Sequence, residues 1–144
     1  MRIGVDVRTA PAREVDVWSP DDTAALGERI AGVIAERTAA GVSADGEPFR
    51  PYSARHAAAR AARGLPVDRV DLRFTGRMLG GLVAGDASET EVTIRTAVDY
   101  AARVDADRPF IGVTEAEIDA VLMPIVEAHV DEALGTAVAP VRLV

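Results

Sequence analysis

The chain contains no cysteine among its 144 residues. A disulfide framework, a zinc–thiolate site and a thiol nucleophile are therefore excluded, and cysteine usage says nothing about the redox compartment. Lysine is also absent, so all 16 basic residues are arginine. A phosphate-binding loop needs that lysine, so the nearby glycines Gly76, Gly80 and Gly81 do not form one. A GC-rich genome explains the arginine bias, although forked arginine contacts also suit polar interfaces.

Long hydrophobic runs are missing as well. No stretch approaches 18 uncharged apolar residues, so the sequence predicts no transmembrane helix. Residues 1–9 lack the apolar core of a signal peptide, and we therefore expect synthesis in the cytosol. The net charge of −7 argues against non-specific binding to nucleic acid. With 49% hydrophobic residues, the chain fits one domain, residues 1–144, that buries a core without metals or disulfides.

Histidine is scarce, and neither of the two histidines has the neighbours that catalysis requires. Ser53 lies three residues before His56, but its position suits a helix N-cap better than a nucleophile. His129 falls on the apolar stripe of the last helix, where a packed or interface histidine is the better interpretation. Glu127 is two residues away and so projects from another side of the helix. The sequence predicts no enzyme, no metal site and no cofactor.

Strand and helix signals alternate along the chain. Residues 1–8 and 14–18 alternate apolar and polar side chains and predict two strands. Ser19 is a good N-cap, and Pro20 suits the first helical position of a helix that Gly41 ends. The elements predicted next are a basic, alanine-rich helix from Ser53 to Arg63, an extended segment over 65–74, a short helix from Thr75 to Leu82, strands at 82–84 and 91–98, and a helical turn at 99–104.

The last helix has the strongest signals. Thr114 and Glu117 form a capping box. Pro124 predicts a kink or a break, Gly135 marks the end, and residues 137–144 can add an edge strand. The apolar stripe at helical spacing consists of Ile118, Val121, Leu122, Ile125, Val126, Val130 and Leu134. We expect a mixed α+β fold, with about three helices on a small antiparallel sheet and a long, kinked C-terminal helix.

Three segments occur in an order that resembles one known family. The first runs over residues 34–41 (IAERTAAG) and 44–53 (ADGEPFRPYS), and the second over 70–79 (VDLRFTGRML). The third is Tyr100–Ala101 followed by 108–112 (RPFIG), which lead into the last helix. Over residues 20–134 this arrangement resembles the phage virion-morphogenesis and tail-completion proteins of the head–tail neck.

The matching residues have structural roles in this interpretation. The Asp-Gly pair forms a turn, the aromatic residues pin loops to the body, and the Thr-Gly pair begins a helix. The candidate structural and interface residues are Asp45, Gly46, Phe49, Arg50, Pro51, Tyr52, Thr75, Gly76, Met78, Leu79, Arg108, Pro109 and Phe110. A second candidate is a basic contact face formed by Arg55, Arg60 and Arg63, which suits DNA phosphates or acidic neighbours. No aromatic residues interleave with these arginines, so base stacking is not supported.

The resemblance implies an assembly role in the virion. It implies a tail-completion, tail-terminator or connector protein that forms a homo-oligomeric ring, expected to be a hexamer, around the DNA channel. The implied partners are neighbouring neck, tail-tube or connector proteins, with DNA passing through without sequence-specific binding and no membrane involved. Head-to-tail contacts would close the ring, and exposed strands at 1–8 or 141–144 could pair with a neighbouring chain.

Three other interpretations remain open at this point. The chain could belong to a phage-derived particle such as a gene transfer agent or a contractile injection system. It could be a small DNA-binding regulator that uses the arginines of residues 55–77, for which a salt-dependent gel shift is the discriminating test. A hydrolase without cysteine is the third, and it lacks a recognisable triad or metal cluster.

Overall fold

The structure is a computed structural model that describes residues 18–137, with side chains up to residue 135. Its elements in chain order are α1 (Pro20–Ala39), α2 (Ala54–Ala61), α3 (Arg77–Gly80), β1 (Val83–Ala87), β2 (Val92–Arg95), α4 (Ala101–Asp107) and α5 (Glu115–Ala137). The predicted mixed α+β class, the small antiparallel sheet and the long C-terminal helix are confirmed. The strands predicted at 1–8, 14–18 and 137–144 lie outside the described residues, apart from Trp18 and Ala137 at their ends.

Helix α1 begins as the sequence predicts. The Ser19 hydroxyl accepts a hydrogen bond from the Asp22 backbone N–H at 3.3 Å, and Asp22 Oδ2 accepts one from the Ser19 N–H at 2.8 Å. This is a reciprocal capping box, with Pro20 in the first turn. The helix ends where Gly41 takes a φ of +88°, a conformation that only glycine adopts without strain. Both ends of α1 are therefore encoded locally.

The sheet is short and lies against α1. Strands β1 and β2 pair antiparallel, with Ala84 opposite Ile94 and Ala87 opposite Val92. An irregularity between Ala84 and Ala87 brings Gly85 against the Arg95 side chain, where a Cβ on the glycine would lie 2.7 Å from Arg95 Nε. The sequence placed a turn at 85–90, but β1 continues to Ala87 because this bulge accommodates the glycine.

Residues 65–74, expected to be extended, contain no helix and no strand. The predictions for two helices differ from the structure. Helix α4 is longer than the single turn predicted at 99–104. Helix α5 runs without a break through Pro124 and continues past Gly135 to Ala137, the last described residue, so the predicted break and the predicted stop at Gly135 are wrong. Pro124 is exposed, and a proline inside a helix removes one backbone hydrogen bond without always ending the helix.

The core forms where α1 meets the loops that follow it and the short helix α3. Phe110 has no exposed surface, and Ile34 on α1 is 2% exposed. The other buried apolar residues of this cluster are Ala31, Phe49, Val70, Met78, Leu79, Leu82, Val98 and Ala101. Most of them come from loops and from helices shorter than three turns, so these segments are held by side-chain packing more than by backbone ladders.

Two glycines of α1 provide a matched test of the contact between helix and sheet. A Cβ at Gly27 would lie 2.6 Å from Val92 Cγ2, whereas a Cβ at Gly32 would meet nothing within 4 Å. We expect Gly27→Ala to destabilise the fold by about 1–3 kcal/mol because a branched side chain must move. Gly32→Ala should stabilise it by about 0.5–1 kcal/mol through helix propensity. Urea unfolding of both variants checks this, and stabilisation by both would contradict the contact.

Candidate assembly surfaces

A cleft of about 470 Å³ opens where the three motif segments meet. We call it the aromatic cleft. Its ring-bearing lining consists of Tyr52, His56, Phe74 and Tyr100. Its other lining residues are Arg50, Ser53, Arg60, Leu72, Thr75, Gly76, Met78, Val104, Asp107 and Arg108. The volume falls in the range of ligand-sized clefts, and the lining mixes rings and aliphatic side chains with charged and polar groups.

A buried ion pair forms the floor of the aromatic cleft. Arg60 Nη2 donates to Asp71 Oδ1 at 2.7 Å, and the two side chains are 1% and 8% exposed. The same guanidinium donates from Nε to the Pro66 carbonyl at 2.9 Å and from Nη1 to the Arg73 carbonyl at 2.6 Å. It also lies over the Tyr52 ring, 4.6 Å from the ring centroid. Such a pair is retained only where its hydrogen bonds are satisfied, and here they fix loop 66–73 against α2.

The burial of Arg60 corrects the predicted basic contact face. Arg55 and Arg63 are exposed on or just beyond α2 and make no ion pair with any described residue. Arg60 faces inward, where it pairs with Asp71. The basic surface therefore consists of Arg55 and Arg63, and Arg63 lies over the Phe74 ring at 4.4 Å from its centroid.

The rim of the cleft joins the first and third motif segments. Asp107 pairs with both Arg50 and Arg108, in the latter case at 2.5 Å. Arg108 also donates to the carbonyls of Arg50 and Pro51 at 3.3 and 3.2 Å. Burial raises the pKa of the Tyr52 hydroxyl above its usual 10.0, despite the nearby Arg60 charge. Its oxygen accepts a hydrogen bond from the Leu72 N–H at 3.1 Å, which joins the second segment to the first.

The predicted motif residues fall into three groups in the structure. Those that line the aromatic cleft are Arg50, Tyr52, Thr75, Gly76, Met78 and Arg108. Those in the core are Phe49, Leu79 and Phe110, with Met78 contributing to both. The remaining four, Asp45, Gly46, Pro51 and Pro109, are exposed. The predicted turn is present, since Gly46 has a φ of +84° and its N–H donates to the Ser43 carbonyl at 3.0 Å.

Sequence reasoning missed several residues that shape these surfaces. Phe74, Tyr100 and Asp71 lie within the motif segments but are not among the candidate residues, although Phe74 and Tyr100 line the cleft and Asp71 pairs with Arg60 beneath it. The available signal was scarcity, because the chain has only three phenylalanines and two tyrosines. All five lie in the core or line the cleft.

The inner face of α5 packs mainly against α1. At one end Arg37 Nη1 donates to both carboxylate oxygens of Glu117 at 2.8 and 2.9 Å, and Arg37 Nη2 donates to the carbonyls of Phe110 and Gly112. At the other end His129 Nε2 lies 2.8 Å from Asp22 Oδ1. His129 is thus a packed histidine on the α1 side of the helix.

Carboxylates at both ends of this contact are held ionised. The hydrogen bond from Ser19 and then the contact with His129 lower the pKa of Asp22 below 3.8. Burial raises the pKa of Glu117, but the Thr114 N–H and the Arg37 guanidinium together outweigh it and hold the pKa below 4.5. A carboxyl group whose pKa is lower in the folded chain stabilises the fold at pH values above its unfolded-state pKa. This stabilisation is lost as the pH falls through the folded-state pKa.

We therefore expect Glu117→Gln to lower the free energy of unfolding by about 1–2 kcal/mol at pH 7, because a charge-assisted pair with Arg37 is lost. The difference from the native chain should shrink as the pH falls below 4.5, the ordinary Glu value, and vanish once the native carboxyl is protonated. Urea unfolding between pH 3 and 7 measures this. Glu115→Gln is the control, since that exposed side chain has no partner among the described residues. A pH-independent difference would contradict the account.

The outer face of α5 carries a second set of residues that is apolar except for Glu127. Ala116, Ala120, Met123, Glu127, Val130 and Leu134 follow one another at steps of four, three, four, three and four residues. All six are exposed, with Met123 at 49%, Val130 at 43% and Leu134 at 60%. This spacing is that of a coiled-coil seam, and we call the six residues the outward stripe.

Helix α5 is thus apolar on two sides, yet no residue between Glu115 and Gly135 is buried. A helix that is apolar all round is normally enclosed. The sequence-predicted stripe combined residues from both faces. Ile118, Val121, Leu122, Ile125 and Val126 are partly covered, whereas Val130 and Leu134 belong to the outward stripe.

Within the part of the chain that the structure describes, no three His, Asp or Glu side chains are grouped to hold a metal ion. None of the helices described has the length and apolarity needed to cross a bilayer. Comparisons of the chain with protein-family models, with curated proteins and with solved structures find no match.

Proposed function

We propose that the chain is a structural subunit of the phage head–tail neck, acting in tail completion, tail termination or connection. In this role it forms a ring, expected to be a hexamer, through which DNA passes into the tail. It works in the virion after assembly in the host cytoplasm, and it meets neck, tail-tube or connector proteins above and below. The observation that carries the proposal is the outward stripe of α5.

The energetics of the outward stripe favour an oligomer. Burial of one large apolar side chain contributes about 1.5–3 kcal/mol, and Met123, Val130 and Leu134 leave much of that unused in the single chain. Scattered apolar residues on a surface need no explanation, but these share one face of one helix at a regular spacing. A partner that covers this face gains several kilocalories per mole before its association costs are subtracted.

The convergence of the motif segments supports the neck role in particular. Residues from segments 44–53, 70–79 and 100–112 build one cleft and the core beneath it, although they are far apart in the chain. Their order and spacing are what resemble the tail-completion proteins. The corresponding subunit of a phage-derived particle would have the same geometry, and the genes beside this one would distinguish the two.

Negative-stain electron microscopy of the purified protein tests the proposal, first alone and then mixed with portal rings and with tail-tube rings from the same gene cluster. We expect closed rings with a central channel wide enough for a DNA duplex, and end-on attachment to one of the two partners. A chain that stays monomeric and binds neither partner would contradict the proposal.

A further inference from the structure

We propose that the partner of the outward stripe is the aromatic cleft of the next copy of the same chain. This inference rests on the proposed ring and names its contact: the C-terminal half of α5, residues 123–134, lies against the cleft and the basic surface beside it. Val130 and Leu134 would enter the cleft, while Glu127 and Asp131 would face Arg55 and Arg63 of the basic surface.

The first support is that charge is segregated along the chain. Residues 50–77 hold seven arginines and two aspartates, whereas α5 holds six carboxylates and no arginine. Among the described residues, Arg55 and Arg63 beside the cleft form no ion pair, and neither do Glu127 and Asp131 on α5. A protein with a net charge of −7 thus keeps a basic patch next to an aromatic cleft and an acidic border along an apolar stripe. The two surfaces complement each other in sign.

The second support is a match in shape and polarity. The cleft has room for a few side chains and offers Tyr52, Phe74 and Tyr100 to them, with Phe74 and Tyr100 38% and 47% exposed. The stripe offers aliphatic side chains on one helical face, interrupted once by Glu127. The packing of a helix with its apolar face in a groove is a common recognition mode. The carboxylate of Glu127 within that face needs a cation opposite it once it is buried.

The third support is the direction of the contact. Among the described residues α5 has its principal contact with α1, and none of the described elements covers its outer face. If two α5 stripes paired with each other, Glu127 and Asp131 would face like charges with no arginine on either helix. Stripe-to-cleft docking uses two different surfaces of each chain, so it is a heterologous contact that repeats and closes into a ring.

Charge exchange tests the docking. The variant that we call the rim variant carries Arg55→Glu with Arg63→Glu in the basic surface beside the cleft, and the helix variant carries Glu127→Arg with Asp131→Arg. We expect each alone to weaken self-association at least tenfold in light scattering at low salt. A 1:1 mixture should recover the native assembly, because both contacts in an alternating ring are again of opposite sign. Arg29→Glu and Glu36→Arg, exposed on α1, are the control reversals, each with half the charge change of a test variant, and should leave the assembly unchanged.

A crosslink provides a second measurement that does not depend on the charge variants. The native chain has no cysteine, so a disulfide forms only between cysteines that are introduced. One preparation carries Tyr100→Cys, a second, mass-tagged preparation carries Leu134→Cys, and the two are mixed. Only cysteines that lie close together can then form a disulfide. We expect the mixed dimer to exceed both homodimers by at least fivefold under mild oxidation. Predominance of the Leu134→Cys homodimer would overturn docking in favour of stripe-to-stripe pairing.

The outcomes separate the docking from the proposed function. A rim variant that still forms native rings overturns the docking and leaves the ring subunit standing. A rim variant that keeps its rings but loses salt-dependent DNA binding in a gel shift assigns the arginines to DNA and also overturns the docking. A native chain that neither self-associates nor binds portal or tail-tube rings overturns both. Loss of rings in each variant with recovery in the mixture supports both.

Discussion

Replacement of Val130 and Leu134 by aspartate is expected to convert the native oligomer into monomers. Both side chains lie on the outward stripe, and in an assembly they would be covered. An unpaired carboxylate at such a position costs several kilocalories per mole, so two of them should weaken association at least a hundredfold, which corresponds to about 2.7 kcal/mol. Light scattering across a dilution series measures the change.

The fold of that double variant should persist, because Val130 and Leu134 are 43% and 60% exposed in the single chain. We expect its free energy of unfolding, measured as a monomer, to change by no more than about 1 kcal/mol. The control is the double variant Ala25→Asp with Gly32→Asp, which places two aspartates at exposed positions of α1. It should leave the assembly intact. Native assembly of the Val130 and Leu134 variant would show that the stripe is not an interface.

Replacement of Arg60 by alanine should be among the most destabilising single changes in the described chain. It leaves the buried carboxylate of Asp71 without its partner and frees the carbonyls of Pro66 and Arg73. Breaking a buried pair by removing one member typically costs about 3–5 kcal/mol. The free energy of unfolding of a small domain is only about 5–15 kcal/mol in total, so the variant should be close to unfolding at 37 °C. Thermal and urea unfolding report the loss.

A double-mutant cycle separates the ion pair from the surrounding packing. Arg60→Ala with Asp71→Ala should cost less than the sum of the two single changes, since it leaves no orphaned charge. Arg63→Ala, three residues further along, removes an exposed arginine and should change stability by less than about 0.5 kcal/mol. If Arg60→Ala proved as mild as Arg63→Ala, Arg60 would belong to the basic contact surface after all.

Local signals in the sequence predicted the starts of three helices well. Ser19, Ser53 and Thr114 all cap helices as expected, because capping depends on residues within one turn. The reciprocal bond from Asp22 was not predicted, although Asp lies three residues after Ser19 as a capping box requires. Phe49 and Phe110 were expected to pin loops, and both are buried.

Long-range pairing was the part that the sequence could not provide. Arg60, like Arg55 and Arg63, lies in an alanine-rich stretch of the sequence. It is buried because Asp71, eleven residues later, packs against it and forms an ion pair. The apolar residues of α5 repeat every three and four positions on both sides, so periodicity alone could not divide them between α1 and an outer partner. The aromatic cleft needs three segments to converge, and no single segment predicts it.

The central claim is that this chain is incomplete as a single copy and assembles with itself through α5. The most direct measurement is the mass of the native protein in solution, by light scattering from nanomolar to high micromolar concentration. The account predicts one closed species, expected near six times the chain mass of 15.1 kDa, that dissociates only on dilution. A mass of one chain throughout, with α5 still folded, would contradict it.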